Sequence, residues 1–472
     1  MPVTLKSQLT KIARITAKIA LGLVAFALLF VLACFILNSF DAPLSEQAKA
    51  LLTPPPNPFP ADQNLYLAMA GMEGPGDRPI VELGQERIDA YNKKLDSIGL
   101  DPDRIFSLDD HWGAGRLKLN GKLEAGSPRS SSIWASTKTH RQEIAAMLAA
   151  NQQLYQRYLS LHYLRGYYET ARPSYMAPLV FSTPQIRAVF LSDVANRIQT
   201  GTPTQQREGL ADLQRDLQMW RIVLKGDGTL ISKMLSVAFL HGDMILLADL
   251  VTDPSFNSSP LEGLLDPTLL PFDPNDYRIG NTFAAEFRNI APVYKSITAA
   301  NELVGRQLPS SWLQRARNGF QAHFFKTNAT ENMAAQIVAR WVSLGDSEPS
   351  GFEQSRQSYL EWRDKEGPHL APNYIYNPVG KILVTLIGTQ YDGYPQRVYD
   401  VSAYQRLVYL AYQLKRQHTA TADIPAFLKA HPDWSTHPVD GKPFQWNADT
   451  GELTVNTLGE HPKDQRFSVI LR

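Results

Sequence analysis

The sequence predicts a mainly α-helical protein with one N-terminal transmembrane helix and a small β element at its C-terminus. Three observations lead to this fold class: an uncharged apolar run near the N-terminus, helical periodicity through residues 64–420, and alternating apolar residues between turn residues in 421–472. Helix pairs follow one another without a fixed repeat length, which indicates an irregular bundle or an α-solenoid-like domain. The tail is expected to form a β-hairpin or a three-stranded element.

The composition narrows the function classes. The 472 residues are 44% hydrophobic and 20% charged, as in ordinary globular chains. A formal net charge of +1 provides no basic footprint, so we expect no nucleic-acid partner. Cys34 is the sole cysteine of the sequence, which excludes an intramolecular disulfide and a zinc site built on cysteines. No motif predicts a cofactor, and the oligomeric state is left open.

The membrane anchor is predicted for residues 19–37, which contain no charged residue. At about 1.5 Å per residue such a helix spans roughly 28 Å, close to the ~30 Å hydrocarbon core of a bilayer. Residues 1–18 contain four basic residues and no acidic one. By the positive-inside rule the N-terminus stays in the cytoplasm, which predicts a single-pass membrane protein whose large domain is exported.

A lipid anchor at Cys34 is the alternative. The residues Val31–Cys34 fit the loose form of a bacterial lipobox, at which a signal peptide is removed and the cysteine is acylated. However, residues 35–37 continue the apolar run, whereas a lipidated N-terminus normally becomes polar at once. We favour the transmembrane span, in which Cys34 is a small apolar residue.

Residues 38–63 are interpreted as a proline-rich stalk. Five prolines stand among the eleven residues Leu52–Asp62, and such a stretch favours extended polyproline geometry that acts as a semi-rigid spacer. The exported helical domain is assigned to 64–420, with a candidate sub-boundary near 253–280. A β tail is assigned to 421–472.

Apolar residues at helical spacing predict the individual helices. Residues 64–98 are expected to form helix, loop and helix, and the loop-rich stretch 100–133 precedes one long helix over 137–168. Gly226-Asp227-Gly228 predicts the turn of a helical hairpin. Further helices are predicted over 184–199, 204–225, 229–252, 281–304, 309–321, 329–344, 350–364, 378–390 and 400–418.

The tail contains alternating segments at 444–446 and 452–458, on either side of the turn sequence NADTG, and 467–470 supplies a third strand. Within it, DGKPFQW and GELTVNTLG resemble the closing hairpin of exported, membrane-anchored bacterial proteins and are similar to the C-terminal strands of type II secretion pseudopilins. No pseudopilin cleavage site precedes the apolar helix. The segment NPVGKILVTLIGTQYDGYPQRVYDVSAYQRLV resembles uncharacterised proteobacterial single-pass membrane proteins with a large exported helical domain. These resemblances imply a bacterial inner-membrane setting and no known activity.

The first candidate site is the sequence DDHW, residues 109–112. Carboxylates and imidazole are ligand types for zinc, manganese or iron, but adjacent side chains need partners from elsewhere in the chain. A helix cap or a solvated loop is the alternative explanation for the acidic pair. Asp110 and His111 are kept as candidate catalytic residues, and no metal site is predicted.

The second candidate pair, His241 and Asp243, lies in a predicted apolar helix. Its members could serve as a general base and the carboxylate that orients it. A buried histidine bonded to a backbone carbonyl is the alternative, and it applies equally to His323. His140 and Glu143 share one helix face, but a di-metal bundle needs matching residues from four helices.

The leading functional hypothesis is a membrane-tethered periplasmic scaffold or interaction protein, with envelope proteins as its expected partners. The sequence NPVGK lacks the second glycine and the Ser or Thr of a phosphate loop, and the motifs G-x-S-x-G, S-x-x-K and H-E-x-x-H do not occur. A cell-envelope hydrolase or related enzyme, whose site forms only in the fold, is the alternative. In that case the candidate residues Asp110, His111, His241 and Asp243 should converge.

Overall fold

The computed structural model confirms the predicted fold class: helices dominate, and the small C-terminal sheet has three antiparallel strands. The structure describes residues 3–98, 111–123, 132–174, 183–255, 261–306, 319, 322–367, 375–387, 391–458 and 466–471. The helix predicted over 309–321 lies outside these residues, apart from residue 319.

The described α-helices include every other predicted helix except the single long one over 137–168. In chain order they are α1 Val3–Leu37, α2 Glu46–Leu52, α3 Leu65–Gly71, α4 Ile80–Ile98, α5 Ile133–Thr137, α6 Arg141–Ala150, α7 Gln152–Leu161, α8 Thr183–Thr200, α9 Pro203–Lys225, α10 Leu230–Thr252, α11 Glu262–Leu269, α12 Gly280–Arg306, α13 Thr327–Gly345, α14 Phe352–Glu366, α15 Pro378–Ile387, α16 Tyr394–Arg416, α17 Ile424–Ala430 and α18 Pro432–Ser435.

The long helix predicted over 137–168 is wrong, because α5, α6 and α7 divide this region. The break between α6 and α7 lies at Asn151, whose side chain bonds to backbone groups. Its Nδ2 donates to the carbonyl of Met147 (2.8 Å) and to that of Asn120 (2.9 Å), and its Oδ1 accepts from the Asn120 N–H (2.7 Å). Asparagine competes with the helix backbone in this way, and the apolar periodicity on either side conceals the break.

The described chain forms two compact units. One comprises Met1–Ala50, Val293–Ile337 and Trp362–Thr389, and the other comprises Leu51–Pro292, Val338–Glu361 and Gln390–Arg472. We call them the anchor unit and the helical unit. At the centre of the helical unit α9 and α10 form the predicted hairpin, which packs against α8 and α16. Fully buried side chains of this core include Trp220, Leu240 and Leu247 of the hairpin and Leu407 of α16.

The proline-rich segment makes contacts within the helical unit. The hydroxyl of Tyr168 donates to the carbonyl of Pro55 (2.7 Å). The ring of Phe59 covers Gly166 so closely that a Cβ there would lie 2.2 Å from it, which explains the glycine. The role of the proline-rich segment as a spacer stays a prediction.

The turn of the α9–α10 hairpin contains a buried lysine. Lys233 is fully buried, and its Nζ donates to the carbonyls of Val223 (2.8 Å) and Gly226 at the C-terminal end of α9. A cation at this end interacts favourably with the helix dipole. Burial nevertheless lowers the pKa of Lys233 to about 8, against the opposing effect of Glu169 and Asp227.

Carboxylates occupy the opposite side of the same turn, at the N-terminus of α10. Glu169 Oε1 accepts from the N–H of Thr229 (3.0 Å), and Glu286 Oε1 accepts from the N–H of Leu230 (2.6 Å). Negative groups are favourable at a helix N-terminus, where N–H groups lack intrahelical partners. The hairpin is therefore closed by charges that match both helix ends.

The C-terminal sheet has the order β1-β2-β3, with β1 Gln445–Asn447, β2 Glu452–Asn456 and β3 Arg466–Ile470. Its side chains Leu453, Val455 and Val469 are buried. Both β2 and β3 contact α16, and β3 also contacts α10. The tail thus completes the core of the helical unit.

Candidate functional site

Two described helices are long and apolar enough to cross a membrane: residues 10–37 of α1 and all of α10. More than half of the apolar window of α10 (56%) is buried, so the core of the helical unit accounts for its composition. None of the window in α1 is buried. The N-terminal helix is therefore compatible with a single membrane span.

The end of α1 is joined to the rest of the anchor unit by Asn38. This side chain is fully buried, and its Nδ2 donates to the carbonyls of Cys34 (2.8 Å) and Ile375 (2.6 Å). Its Oδ1 accepts from the N–H of Asn377 (2.7 Å). One asparagine thus ends the apolar helix and bonds to a segment more than 330 positions later in the chain.

Asn377 repeats this pattern from the other side. It has a positive φ of 51°, a conformation that asparagine tolerates better than most residues. Its Oδ1 accepts from the N–H groups of Lys326 (2.8 Å) and Gly380 (3.2 Å), and its Nδ2 donates to Thr330 Oγ1 (2.9 Å). A Cβ at Gly380 would lie 2.0 Å from Thr330 Oγ1, so the close approach requires glycine. We call Asn38 and Asn377 the amide joint.

Further polar contacts surround the amide joint. Asp41 accepts from the N–H groups of Asn328 (2.8 Å) and Ala329 (3.0 Å) at the start of α13, where a carboxylate is favourable. Asn332 Oδ1 accepts from the N–H of Ser45 (2.7 Å). The residues that follow α1 are therefore part of the folded anchor unit.

His323, a candidate of the sequence analysis, lies at this junction. Its ring stacks on Phe35 with centroids 4.8 Å apart, and its Nε2 lies 2.9 Å from the Phe35 carbonyl, to which it can only donate. The backbone bond agrees with the alternative of a buried histidine that bonds to a carbonyl, but His323 is half-buried rather than buried. Cys34 is half-buried, and α1 continues past it to Leu37 without a break.

The described part of the helical unit contains a cavity of about 240 Å³ between α10, α16 and the sheet. It is lined by Met234, Val237, Ala238, His241, Arg397, Asp400, Val401, Thr457 and Phe467. The ring of His241 lies 5.3 Å from that of Tyr404 and 5.1 Å from that of Phe467. The guanidinium of Arg397 lies over the ring of Tyr394, 4.8 Å from its centroid.

Asp400 supplies the carboxylate of this cavity and is almost fully buried. Its Oδ1 accepts from the N–H of Leu458 (2.7 Å), and this hydrogen bond connects the residues that follow β2 to α16. The Nε2 of buried His437 lies 3.7 Å from the same oxygen. The polar groups at the cavity therefore contribute to attaching the sheet.

The structure does not bring His241 and Asp243 together. Residues two apart on a helix point to different sides, and Asp243 is fully buried where its Oδ1 accepts from Arg187. Arg187 also donates from Nε to Asp216 Oδ2 (3.2 Å). The general base and its orienting carboxylate are thus not a pair, and each has other contacts.

The buried network around Arg187 contains one cation and two carboxyls. The hydroxyl of Tyr158 (2.5 Å) and His162 Nε2 (3.1 Å) also bond to Asp216. Burial acts to raise the pKa of Asp216, but Arg187 and these hydrogen bonds outweigh it and hold the pKa low. Burial raises the pKa of Asp243 well above its usual range, and repulsion by Asp216 adds to this effect. The two carboxyls therefore have pKa values shifted in opposite directions.

Two other predicted candidates, His111 and His140, contact residues outside this network. Asp110 is outside the described residues. His111 Nε2 lies 3.9 Å from Glu86 Oε1, and burial lowers the pKa of His111 against the pull of that carboxylate. His140 precedes α6, with Nδ1 2.9 Å from the Ser136 carbonyl. No cluster of three or more metal-ligating side chains occurs in the part of the chain that the structure describes.

Sequence reasoning missed the amide joint and the cavity. The joint pairs residues 339 positions apart, and its only local indication is an asparagine directly after the apolar run and another directly before Pro378. The cavity joins His241 to residues near 400 and 460, and no local motif marks this convergence.

No protein-family model matches the chain, and no curated protein or solved structure is significantly similar to it. The resemblances of the tail and of the segment from Asn377 onward stay predictions.

Proposed function

We propose that this protein is a membrane-anchored interaction protein: α1 spans a bacterial inner membrane, and the helical domain binds envelope proteins on the periplasmic side. The observation that carries the proposal is the contrast at the end of α1. The apolar helix is exposed along its length, whereas Asn38 directly after it is fully buried and bonded to the folded chain. An exposed apolar surface of this length is stable in a bilayer and unfavourable in water.

The polar groups support binding rather than catalysis. His241 is held between two aromatic rings, Asp400 bonds to the backbone of the tail, and Asp243 belongs to a separate ion pair. A nucleophile and base would have to lie within hydrogen-bond reach of one another, and none of these contacts joins such a pair.

The orientation rests on the basic residues that precede the apolar run. Lys11, Arg14 and Lys18 lie on α1 before residue 19, and Asp41 follows the helix. Under the positive-inside rule this distribution places the folded domain outside the cytoplasm. The same arrangement supports partners in the envelope.

Cross-linking in intact membranes tests the proposal. The full chain and a control that joins residues 1–45 to an unrelated exported domain are cross-linked in parallel, and the products are identified by mass spectrometry. We expect the full chain to remain in the membrane after carbonate washing and to form recurrent cross-links that the control lacks. Release by carbonate contradicts the anchor, and a monomer without specific cross-links contradicts the interaction role.

A further inference from the structure

Helix α15, with the sequence PVGKILVTLI, has an apolar surface on its outer face. Ile382 is 52% exposed and Leu386 is 69% exposed, and Val379 and Leu383 beside them are half-buried. These four positions follow the i, i+3, i+4, i+7 spacing of one helix face. On a helix that faces water, polar side chains would occupy this face.

The opposite face of α15 is directed into the anchor unit. Gly380, Lys381 and Val384 are buried there. Lys381 is the sole charged residue between Pro378 and Ile387, and it does not lie on the exposed face. The outer surface of α15 is thus uncharged as well as apolar.

The start of α15 is fixed at the end of α1. Asn38 donates to the carbonyl of Ile375 (2.6 Å) and accepts from the N–H of Asn377 (2.7 Å). The hydroxyl of Tyr376 donates to the carbonyl of Phe40 (3.3 Å) and accepts from the N–H of Ala42 (3.0 Å). The residue directly after α1 is therefore hydrogen-bonded to the segment that begins α15.

Two further exposed apolar side chains flank this contact. Phe40 is 74% exposed and Ile375 is 38% exposed. Both side chains lie on the segments that hydrogen bonds join between the end of the membrane helix and the start of α15. Exposed apolar patches of this kind mark a contact with another apolar phase.

We propose that α15 is an interfacial helix whose outer face, Val379, Ile382, Leu383 and Leu386, lies in the bilayer surface next to the point where α1 leaves it. This inference rests on the proposed membrane anchor and adds a second contact with lipid. The outer face of α15 contacts the boundary between lipid headgroups and acyl chains. Helices that lie parallel to the membrane bury their apolar faces at this boundary. Since the face carries no charge, its contact with lipid is independent of the anionic lipid content.

Site-specific labelling of the full chain tests this inference, and the single cysteine makes the design clean. In a Cys34→Ala background, one cysteine is placed at Leu386, at Leu23 in the predicted span, or at Gln336, an exposed polar residue of the anchor unit. Each variant is labelled with an environment-sensitive fluorophore and reconstituted into vesicles with and without nitroxide-bearing lipids. Vesicles of zwitterionic lipid and of lipid with an anionic fraction are compared.

We expect the label at Leu386 to shift its emission to the blue and to be quenched by nitroxide near the headgroups, equally in both vesicle types. The label at Leu23 should be quenched by nitroxide deep in the acyl region, and the label at Gln336 should stay in water. Water-like emission at Leu386 with a quenched Leu23 overturns the interfacial helix and leaves the anchor intact. A blue shift at Leu386 without lipid quenching also overturns it, because a protein then covers the face. Quenching of Gln336 to the same degree overturns the assignment to the apolar face, and an unquenched Leu23 overturns the anchor itself.

Discussion

The amide joint of the anchor unit and the Arg187 network of the helical unit bury polar groups of different kinds. The amide joint of the anchor unit consists of neutral side chains, Asn38 and Asn377, which bond mainly to backbone groups. The buried contacts of the helical unit include charged side chains: Arg187 lies between two carboxyls, and Lys233 donates to backbone carbonyls. A buried amide that has its hydrogen bonds costs little free energy and fixes the local chain geometry. A buried charge is tolerated only while all of its partners are present, because an unpaired charge in the interior is strongly destabilising.

This difference predicts where the chain tolerates change. Removing an amide leaves a few backbone groups without partners, which costs about 1–3 kcal/mol for each buried group. Removing one member of a buried ion pair leaves a charge in a medium that solvates it poorly, which costs about 3–5 kcal/mol. We therefore expect the helical unit to respond most strongly to substitution of its charges.

The largest effect is expected for Arg187→Met, which removes the buried cation that Asp216 and Asp243 share. The free energy of unfolding should fall by about 3–5 kcal/mol, measured by denaturant titration in mild detergent with tryptophan fluorescence. Arg278→Met is the matched control, because Arg278 pairs with Glu348 on the surface. A loss no larger than that of the control would mean that the buried network does not need its cation.

A pH dependence is expected from Lys233, whose pKa falls from 10.5 in the unfolded chain to about 8 in the folded chain. Between these values the unfolded state binds more protons than the folded state, so stability rises with pH. Below pH 8 the lysine is charged in both states, and the full penalty of burial applies. The difference of roughly 2.5 pKa units corresponds to about 3 kcal/mol. Unfolding titrations from pH 7.5 to 10.5 measure this rise.

Lys233→Met is the control for that titration. It removes the titrating group, so the rise in stability between pH 8 and 10.5 should disappear. An unchanged slope in this variant would assign the pH dependence to another group.

A smaller effect is expected for Asn377, where two substitutions separate its two roles. Asn377→Gly keeps the positive φ and loses the side-chain hydrogen bonds, and we expect a loss of about 1–3 kcal/mol. Asn377→Ala also forces a residue with a Cβ into the left-handed region, which adds about 1 kcal/mol. Pulse proteolysis of the full chain measures both. Equal losses would show that backbone conformation contributes nothing here.

The smallest effect is expected for Asp41→Asn, which keeps the shape of the cap on α13 but removes its charge. The loss should be about 0.3–1 kcal/mol and should shrink with added salt, since the interaction with the helix dipole is screened. Thermal unfolding at low and high salt checks this result. A loss that is independent of salt would indicate that the charge has no role.

The sequence predicts the helices well where periodicity and turn residues agree. The three helices 183–252 lie within a few residues of their predicted bounds because apolar spacing and the sequence Gly226-Asp227-Gly228 indicate the same ends. The prediction fails at Asn151, where a side chain replaces backbone hydrogen bonds without changing the apolar pattern. The local sequence pattern therefore predicts secondary-structure elements, but it does not predict hydrogen bonds between residues that are distant in the sequence.

The candidate sites show the same limit. The sequence places His241 near Asp243, yet in the fold its ring packs against Tyr404 and Phe467, which are remote in sequence. The amide joint was not predicted, because a lone asparagine carries no indication of its partner. The span itself was predictable, since nineteen uncharged residues after a basic segment form a local pattern.

The central claim is that a folded unit is hydrogen-bonded directly to the end of a membrane-spanning helix. Hydrogen exchange of the full chain in lipid nanodiscs tests this claim. Peptides that cover residues 10–37 and 375–387 should exchange far more slowly than the exposed turn at Asp449 and Thr450. Protection of the first segment reports the bilayer around α1, and protection of the second reports the amide joint. Exchange of either segment as rapid as that of the turn would contradict the account.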